Sequence, residues 1–215
     1  MRFQYPLMLD LSDRLIVIVG GGAVAVRKAE GVRAAGATKV RVVSPAVSEK
    51  MPAAVEWIPA AYHIDHLADA GLVFAATNLP SVNDLVVRDC RAQGIWVNRA
   101  DADAALAGDF STPALLKQGS IAVTISAGSA ALSATIRDSI RKTWDARWTA
   151  MADAMQTIRP MIVRRTDWLE AQRTEIFRAL ATEEALVVVG ERGLPALMEW
   201  LSKRFNVLIE APNVD

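Results

Sequence analysis

Five consecutive aliphatic residues, Leu15-Ile16-Val17-Ile18-Val19, run straight into three glycines, Gly20-Gly21-Gly22. So apolar a run offers no face to water, and it predicts a strand covered on both sides within a parallel sheet. The glycines permit a tight turn, and Ala23 to Ala35 reads as a helix that Gly36 stops. Strand, glycine turn and helix in this order open a βαβ unit. Gly20-Gly21-Gly22-Ala23-Val24-Ala25 also fits the G-x-G-x-x-G/A pattern of dinucleotide-binding turns. Gly20 serves the turn, Gly22 lets the backbone approach a pyrophosphate, and the small third residue lets helix and strand pack closely. The helix start at Ala23 and Val24 adds unpaired N–H groups and a partial positive charge for the phosphates.

The pattern continues downstream. Val40–Val43 reads as a second strand ended by Ser44-Pro45, Val55–Ile58 as a third, and Leu72–Ala76 as another buried run. A helix over Ser81–Gln93 and a strand over Ile95–Asn98 follow. Strands alternating with helices predict an α/β fold, a Rossmann-type parallel sheet with right-handed crossovers. After Pro113 the character changes. Ile121–Ile125 reads as one more strand, and helix dominates beyond it. Trp144, Trp148, Met151, Met155 and Ile158 recur at spacings of four and three, one face of a helix, as core or interface. Leu194, Leu197, Met198, Leu201 and Phe205 form a second stripe.

One part of the dinucleotide pattern is missing. The end of the second strand usually carries an acidic residue for the ribose, and here it reads Val43-Ser44-Pro45-Ala46. Ser44, Pro45 and Ala46 are the expected cofactor contacts there. A serine hydroxyl serves a ribose or a 2′-phosphate alike, so NAD and NADP stay open on chemistry alone, as does a plain turn.

Composition narrows the class. Lys plus Arg and Asp plus Glu number 24 each among 215 residues, so charge gives no reason to expect a nucleic-acid or membrane partner. The single Cys90 cannot form an internal disulfide or a thiolate metal site. Neither a signal-like segment nor a bilayer-length apolar run is visible, and the expected location is the cytoplasm.

The first 140 or so positions carry a further set of motifs: Tyr5-Pro6-Leu7 with Leu9-Asp10-Leu11, the glycine turn with Arg27-Lys28-Ala29, and Ala75-Ala76-Thr77-Asn78 with Val82-Asn83. Then come Val97-Asn98-Arg99-Ala100-Asp101, Asp109-Phe110-Ser111-Thr112-Pro113-Ala114, and Ile125-Ser126 with Gly128. In this order the chain resembles the precorrin-2 dehydrogenases, including the N-terminal modules of sirohaem synthases. The resemblance implies oxidation of the tetrapyrrole precorrin-2 to sirohydrochlorin with NAD as cofactor. Some members of that family also insert iron. It implies Asp101 as the catalytic residue, Thr77 and Asn78 at the cofactor, and Asn98, Ser126 and Gly128 at the substrate. A homodimer is implied too, dividing the chain into a Rossmann NAD-binding domain over 1–113, a dimerisation region over 114–147 and a C-terminal helical region over 148–215. The segment between Asp101 and Phe110 is slightly longer than the family's common form, and the loop after Ser126 slightly shorter. A non-enzymatic dinucleotide-sensing module is the reading from another class.

Position supports Asp101 as a proton acceptor, because it follows a strand at the edge where α/β sheets bind ligands. A loop aspartate also serves as a turn or cap residue, and Asp103 and Asp109 are its rivals. Asn98 and Asn83 either meet a ligand or tie loops together. Arg27 and Lys28 either soften phosphate charge or are solvated. His63 and His66, three apart beside Asp65, are too few for a metal site, and none is expected. A polycarboxylate substrate calls for cations, and Arg99, Arg137, Arg141, Lys142, Arg159, Arg164 and Arg165 are the candidates.

Overall fold

The computed structural model describes residues 5–101 and 106–207. The chain divides into two compact units, residues 1–112 and 113–215.

In the first unit five strands form one parallel sheet: β1 (Leu15–Val19), β2 (Lys39–Val43), β3 (Glu56–Ile58), β4 (Ala70–Ala75) and β5 (Trp96–Arg99), in the order β3-β2-β1-β4-β5. The central strand is covered on both sides, as its composition requires. Ile16 and Ile18 pack with Ala25, Ala29 and Val32 of helix α1 (Ala23–Ala34). Val17 and Val19 pack with Val86, Val87 and Cys90 of helix α2 (Pro80–Ala92) on the opposite face. Burying each of these isoleucine and valine side chains contributes about 1.5–3 kcal/mol before entropy is counted. The two helices therefore leave the sheet in opposite directions on either side of β1. This is the topological switch at which open α/β sheets bind ligands, outside the carboxyl ends of the strands.

The second unit opens with an antiparallel hairpin, β6 (Ala114–Gln118) and β7 (Ile121–Ile125), turning through Gly119 at φ 56°. The sequence reading anticipated only β7, although apolar runs flanking a Gly-Ser turn are a hairpin signal. Helices α3 (Ala130–Lys142), α4 (Ala146–Arg164), α5 (Glu170–Leu180) and α6 (Glu183–Phe205) follow. The expected boundary at 147/148 falls inside α4. Gly193, at φ 75°, breaks α6 into two helical pieces just before Pro195. Met151 and Ile158 of the first apolar stripe join Leu197, Met198 and Leu201 of the second in one core. Trp148 stays exposed, and Trp144 lies before α4 with its indole N–H donated to Thr149 Oγ1 at 2.9 Å. Among the described residues no helix is long and apolar enough to cross a membrane.

Candidate functional site

Three strands end level. The N–H of Gly20 donates to Val43 O at 2.9 Å, that of Ala76 to Val19 O at 2.8 Å, and that of Ala100 to Ala75 O at 3.0 Å. The sheet ladder thus runs one residue beyond β1, β4 and β5. The glycine turn, the Thr77 segment and Asp101 consequently emerge along one carboxyl edge.

The three glycines divide the work. Gly20 has φ 128°, and a Cβ there would stand 2.4 Å from Ala76 O, so only glycine fits between β1 and the end of β4. At Gly21 a Cβ would stand 2.0 Å from Ala46 O, a close approach the sequence reading had not assigned to this residue. A Cβ on Gly22 would meet nothing within 4 Å. Gly22 is the N-cap of α1, no side chain caps that helix, and no acidic residue lies in its first turn. The N–H groups of Ala23 and Val24 lie at an open, uncapped start of α1 that carries the partial positive charge of the helix dipole, the environment a pyrophosphate requires. On that count the residues present fit a dinucleotide.

The neighbouring turn has a narrower role. Ser44 Oγ donates to Ala46 O at 2.7 Å, and Trp57 Nε1 donates to Ser44 O at 2.9 Å. The hydroxyl proton is spent inside the turn, so toward solvent Ser44 Oγ offers acceptor lone pairs and no donor. Pro45 and Ala46 are exposed beside it.

Beyond β4, Thr77 donates its N–H to Asn83 Oδ1 at 3.2 Å, and Asn83 Nδ2 donates to Thr77 O at 3.1 Å and Asp101 Oδ1 at 3.2 Å. Asn83 is buried, and it ties the Thr77 turn to the Asp101 segment. Asn78 is exposed at that turn. Asn98 is buried as well. Its Nδ2 donates to Phe110 O at 2.7 Å, while among the described residues its Oδ1 has no hydrogen-bond partner. Ser126 and Gly128 (φ 76°) belong to the second unit, in the exposed loop between β7 and the Ser129 cap of α3.

Asp101 is one-third exposed and forms a two-pronged ion pair with Arg99, Nε to Oδ1 at 2.7 Å and Nη2 to Oδ2 at 2.8 Å. The guanidinium holds its carboxyl below the usual carboxylate range, against the opposing pull of burial. Asp109 takes a different place: Oδ2 accepts from Val97 N at 3.1 Å and Oδ1 from Arg91 Nε at 3.1 Å, clasping the middle of β5. Asp103 lies outside the described residues.

Arg99 was expected among the substrate-facing cations, and the structure corrects this. Its side chain is 3% exposed and engaged with Asp84, Asp101 and two carbonyls. Arg137 and Arg141 share Asp138, and Arg165 pairs with Asp167. Lys28 is the inward member of the basic pair. Its Nζ donates to Thr112 Oγ1 at 2.5 Å and lies 5.4 Å from the Phe74 ring, and burial lowers its pKa. His63 and His66 cap a single 3-10 turn, Ile64–Leu67. Among the described residues no group of three or more His, Cys, Asp or Glu could hold a metal ion.

Residues 7–114 match the family described as "Putative NAD(P)-binding". The chain belongs to that family. Several relatives are named "Siroheme synthase". That of Xylella fastidiosa (strain M12) is 32% identical over 183 residues, covering 78% of this chain and 38% of the relative. That of Thioalkalivibrio sulfidiphilus (strain HL-EbGR7) is 32% identical over 211 residues, covering 88% and 42%. The chain thus spans about two-fifths of the length of these curated relatives. A solved structure named "SirC, precorrin-2 dehydrogenase" superposes with a TM-score of 0.74 at 22% identity, covering 93% of this chain and all of that one, a likeness of fold.

Sequence reasoning missed Arg99 as a buried hub. One signal was available, since Arg99 and Asp101 stand two apart in an extended segment and project to the same side. Gly108, where a Cβ would come within 2.6 Å of Arg99 N, left no such signal.

Proposed function

We propose that the chain is an NAD-dependent precorrin-2 dehydrogenase, oxidising precorrin-2 to sirohydrochlorin in sirohaem biosynthesis. The observation that carries this reading is one sheet edge bearing both an uncapped, acid-free helix start open at Gly22 and a carboxylate, Asp101, paired with a guanidinium. The names of the relatives and of the structural neighbour point the same way.

NAD, when bound, supplies an acceptor for a hydride from the reduced macrocycle. The backbone N–H groups of Ala23 and Val24 hold its pyrophosphate, the Ser44–Ala46 turn borders its ribose, and Thr77 and Asn78 border its far end. The absence of an acidic residue after β2 is met by the Ser44 lone pairs, which favour NAD over NADP. Loss of a hydride leaves positive charge on the substrate, and a proton must also depart. Asp101, ionised before substrate arrives, stabilises that charge and takes the proton. Asn98, Ser126 and Gly128 are proposed substrate contacts. The region over 114–147 is proposed to form a homodimer, with the later helices enclosing the tetrapyrrole.

Anaerobic incubation with precorrin-2 and NAD tests the reading through the growth of sirohydrochlorin absorbance. No growth at enzyme and NAD concentrations that support NAD binding refutes it. Light scattering at micromolar concentration should return twice the chain mass, and a monomer mass refutes the dimer.

A further inference from the structure

Arg99 ends β5, and every one of its five guanidinium N–H donors has a partner. Nε donates to Asp101 Oδ1 at 2.7 Å, and Nη2 donates to Asp101 Oδ2 at 2.8 Å and to Pro80 O at 3.3 Å. Nη1 donates to Leu106 O at 3.1 Å and to a carboxylate oxygen of Asp84. The group therefore pins three pieces of chain: the end of β5, the start of α2 through Pro80 and Asp84, and the return at Leu106. A cation this buried is stable only when its donors are met and its charge balanced. Two carboxylates facing one guanidinium leave the cluster with a net negative charge.

The hydrogen bonds also distinguish the two oxygens of Asp101. Oδ1 accepts from Arg99 Nε and from Asn83 Nδ2 at 3.2 Å, which fills its two lone-pair sites. Among the described residues Oδ2 accepts a side-chain hydrogen bond only from Arg99 Nη2, which makes it the less engaged of the two oxygens.

We infer that Arg99 is a positioning residue that holds the Asp101 carboxylate ionised and in a fixed plane, so that Oδ2 is the atom that takes the substrate proton. The inference rests on the proposed reading of Asp101 as proton acceptor. In the step itself, the substrate bond to hydrogen breaks after hydride loss. Its electron pair closes the new double bond, the proton goes to Oδ2, and Asp101 then releases it to solvent. The cost is a weaker base. The gain is a carboxylate that stays charged well into acid and stabilises the cationic macrocycle. Among the described residues Arg99 from β5 is the charged group in contact with Asp101, and Asp84 from α2 shares its guanidinium. They act in opposite senses: Arg99 favours the ionised form, and Asp84 disfavours it.

Two readouts on the full chain test the idea. One is carbon-13 NMR titration of the Asp101 carboxyl without substrate. The other is the acid limb of kcat/KM, which reports the free enzyme. Arg99→Gln should move both upward together by about one to three pH units. Arg99→Lys, which keeps the charge and loses the fork, should move them less. Asp84→Asn should move both downward. If Arg99→Gln fails to fold, Arg99→Lys and Asp84→Asn carry the test. An Asp101 carboxyl that titrates unchanged in both of these overturns the inference, even where turnover falls, because a merely structural role lowers rates without moving either midpoint. A carboxyl that shifts while the acid limb stays fixed leaves the pairing intact and refutes Asp101 as the proton acceptor.

Discussion

Replacing Gly22 with valine separates ligand binding from folding. The position has φ −82°, ordinary for any residue, and a Cβ there meets no atom within 4 Å. The protein therefore accommodates the side chain, at an N-cap cost of up to about 1 kcal/mol. The space it enters is the one in front of the first N–H groups of α1. A pyrophosphate held there loses its closest hydrogen bonds. Each bond to a charged partner is worth about 1.5–3 kcal/mol, so two lost bonds cost about 3–6 kcal/mol, or roughly 10²–10⁴-fold in affinity. Calorimetric titration with NAD alongside a thermal melt gives both numbers. A variant that melts like its parent and binds NAD within about threefold of it refutes the assignment of the pyrophosphate to this turn.

Gly20→Ala should do the reverse, lowering the melting temperature before any question of NAD arises, since its Cβ would lie 2.4 Å from Ala76 O at φ 128°. Strain of about 1–3 kcal/mol is expected, and an unchanged calorimetric melt refutes it. Asp101→Asn should cut turnover about 10²–10⁴-fold with NAD affinity kept. Asp109→Asn, which loosens the clasp on Val97 and Arg91, should lower stability and spare turnover, and the opposite pattern would exchange their roles. Burial pushes the Cys90 thiol up from 9.0 to about 12, and burial with the Asp89 hydrogen bond raises the Tyr62 hydroxyl. The folded chain thus keeps these protons to higher pH than the unfolded chain. Their contribution to stability is whole below pH 9 and falls as pH rises from there toward about 12. The urea midpoint should decline across that window in the parent and less steeply in Cys90→Ala, and equal slopes would rule out Cys90 as a source.

The first unit was legible because its signals are local. An unbroken run such as Leu15–Val19 fits only a doubly covered strand, and the glycines that follow mark the turn. Element ends moved by a residue, as where Ile95–Asn98 became Trp96–Arg99, because end residues answer to the ladder and not to their own propensity. Strand β6 went unread since Leu115 and Leu116 carry too short an apolar signal without their partner β7. The site was half legible. Gly22, Ala23 and Val24 were visible through a motif, whereas the fate of Arg99 depends on Asp84 and Pro80, whose nearness only the α2 crossover creates. Asn98 was read as a ligand contact through the resemblance, with a loop tie as the alternative, and its hydrogen bond to Phe110 O is a tertiary fact that no local pattern carries.

The surface proposed for the cofactor is largely main chain, and on that reading the three adjacent glycines should respond differently to substitution. Gly20 and Gly21 are fixed by protein atoms behind them, Ala76 O and Ala46 O, whatever ligand is present. Gly22 is constrained only by what arrives from solvent. The carboxylate at the far end of the same edge is built on the opposite principle, with a side chain aimed by another side chain that is itself held by two backbone carbonyls and a second acid. Binding strength should therefore depend on a few backbone positions, and proton transfer on a polar cluster spanning β5 and α2. Variants in the Arg99 cluster should change the pH dependence of turnover while leaving NAD affinity in place, and variants at Gly22 should do the converse. A single substitution in the Arg99 cluster that shifted NAD affinity and the acid limb in equal measure would mean that the two ends of the edge are mechanically coupled, contrary to the separate supports described for each.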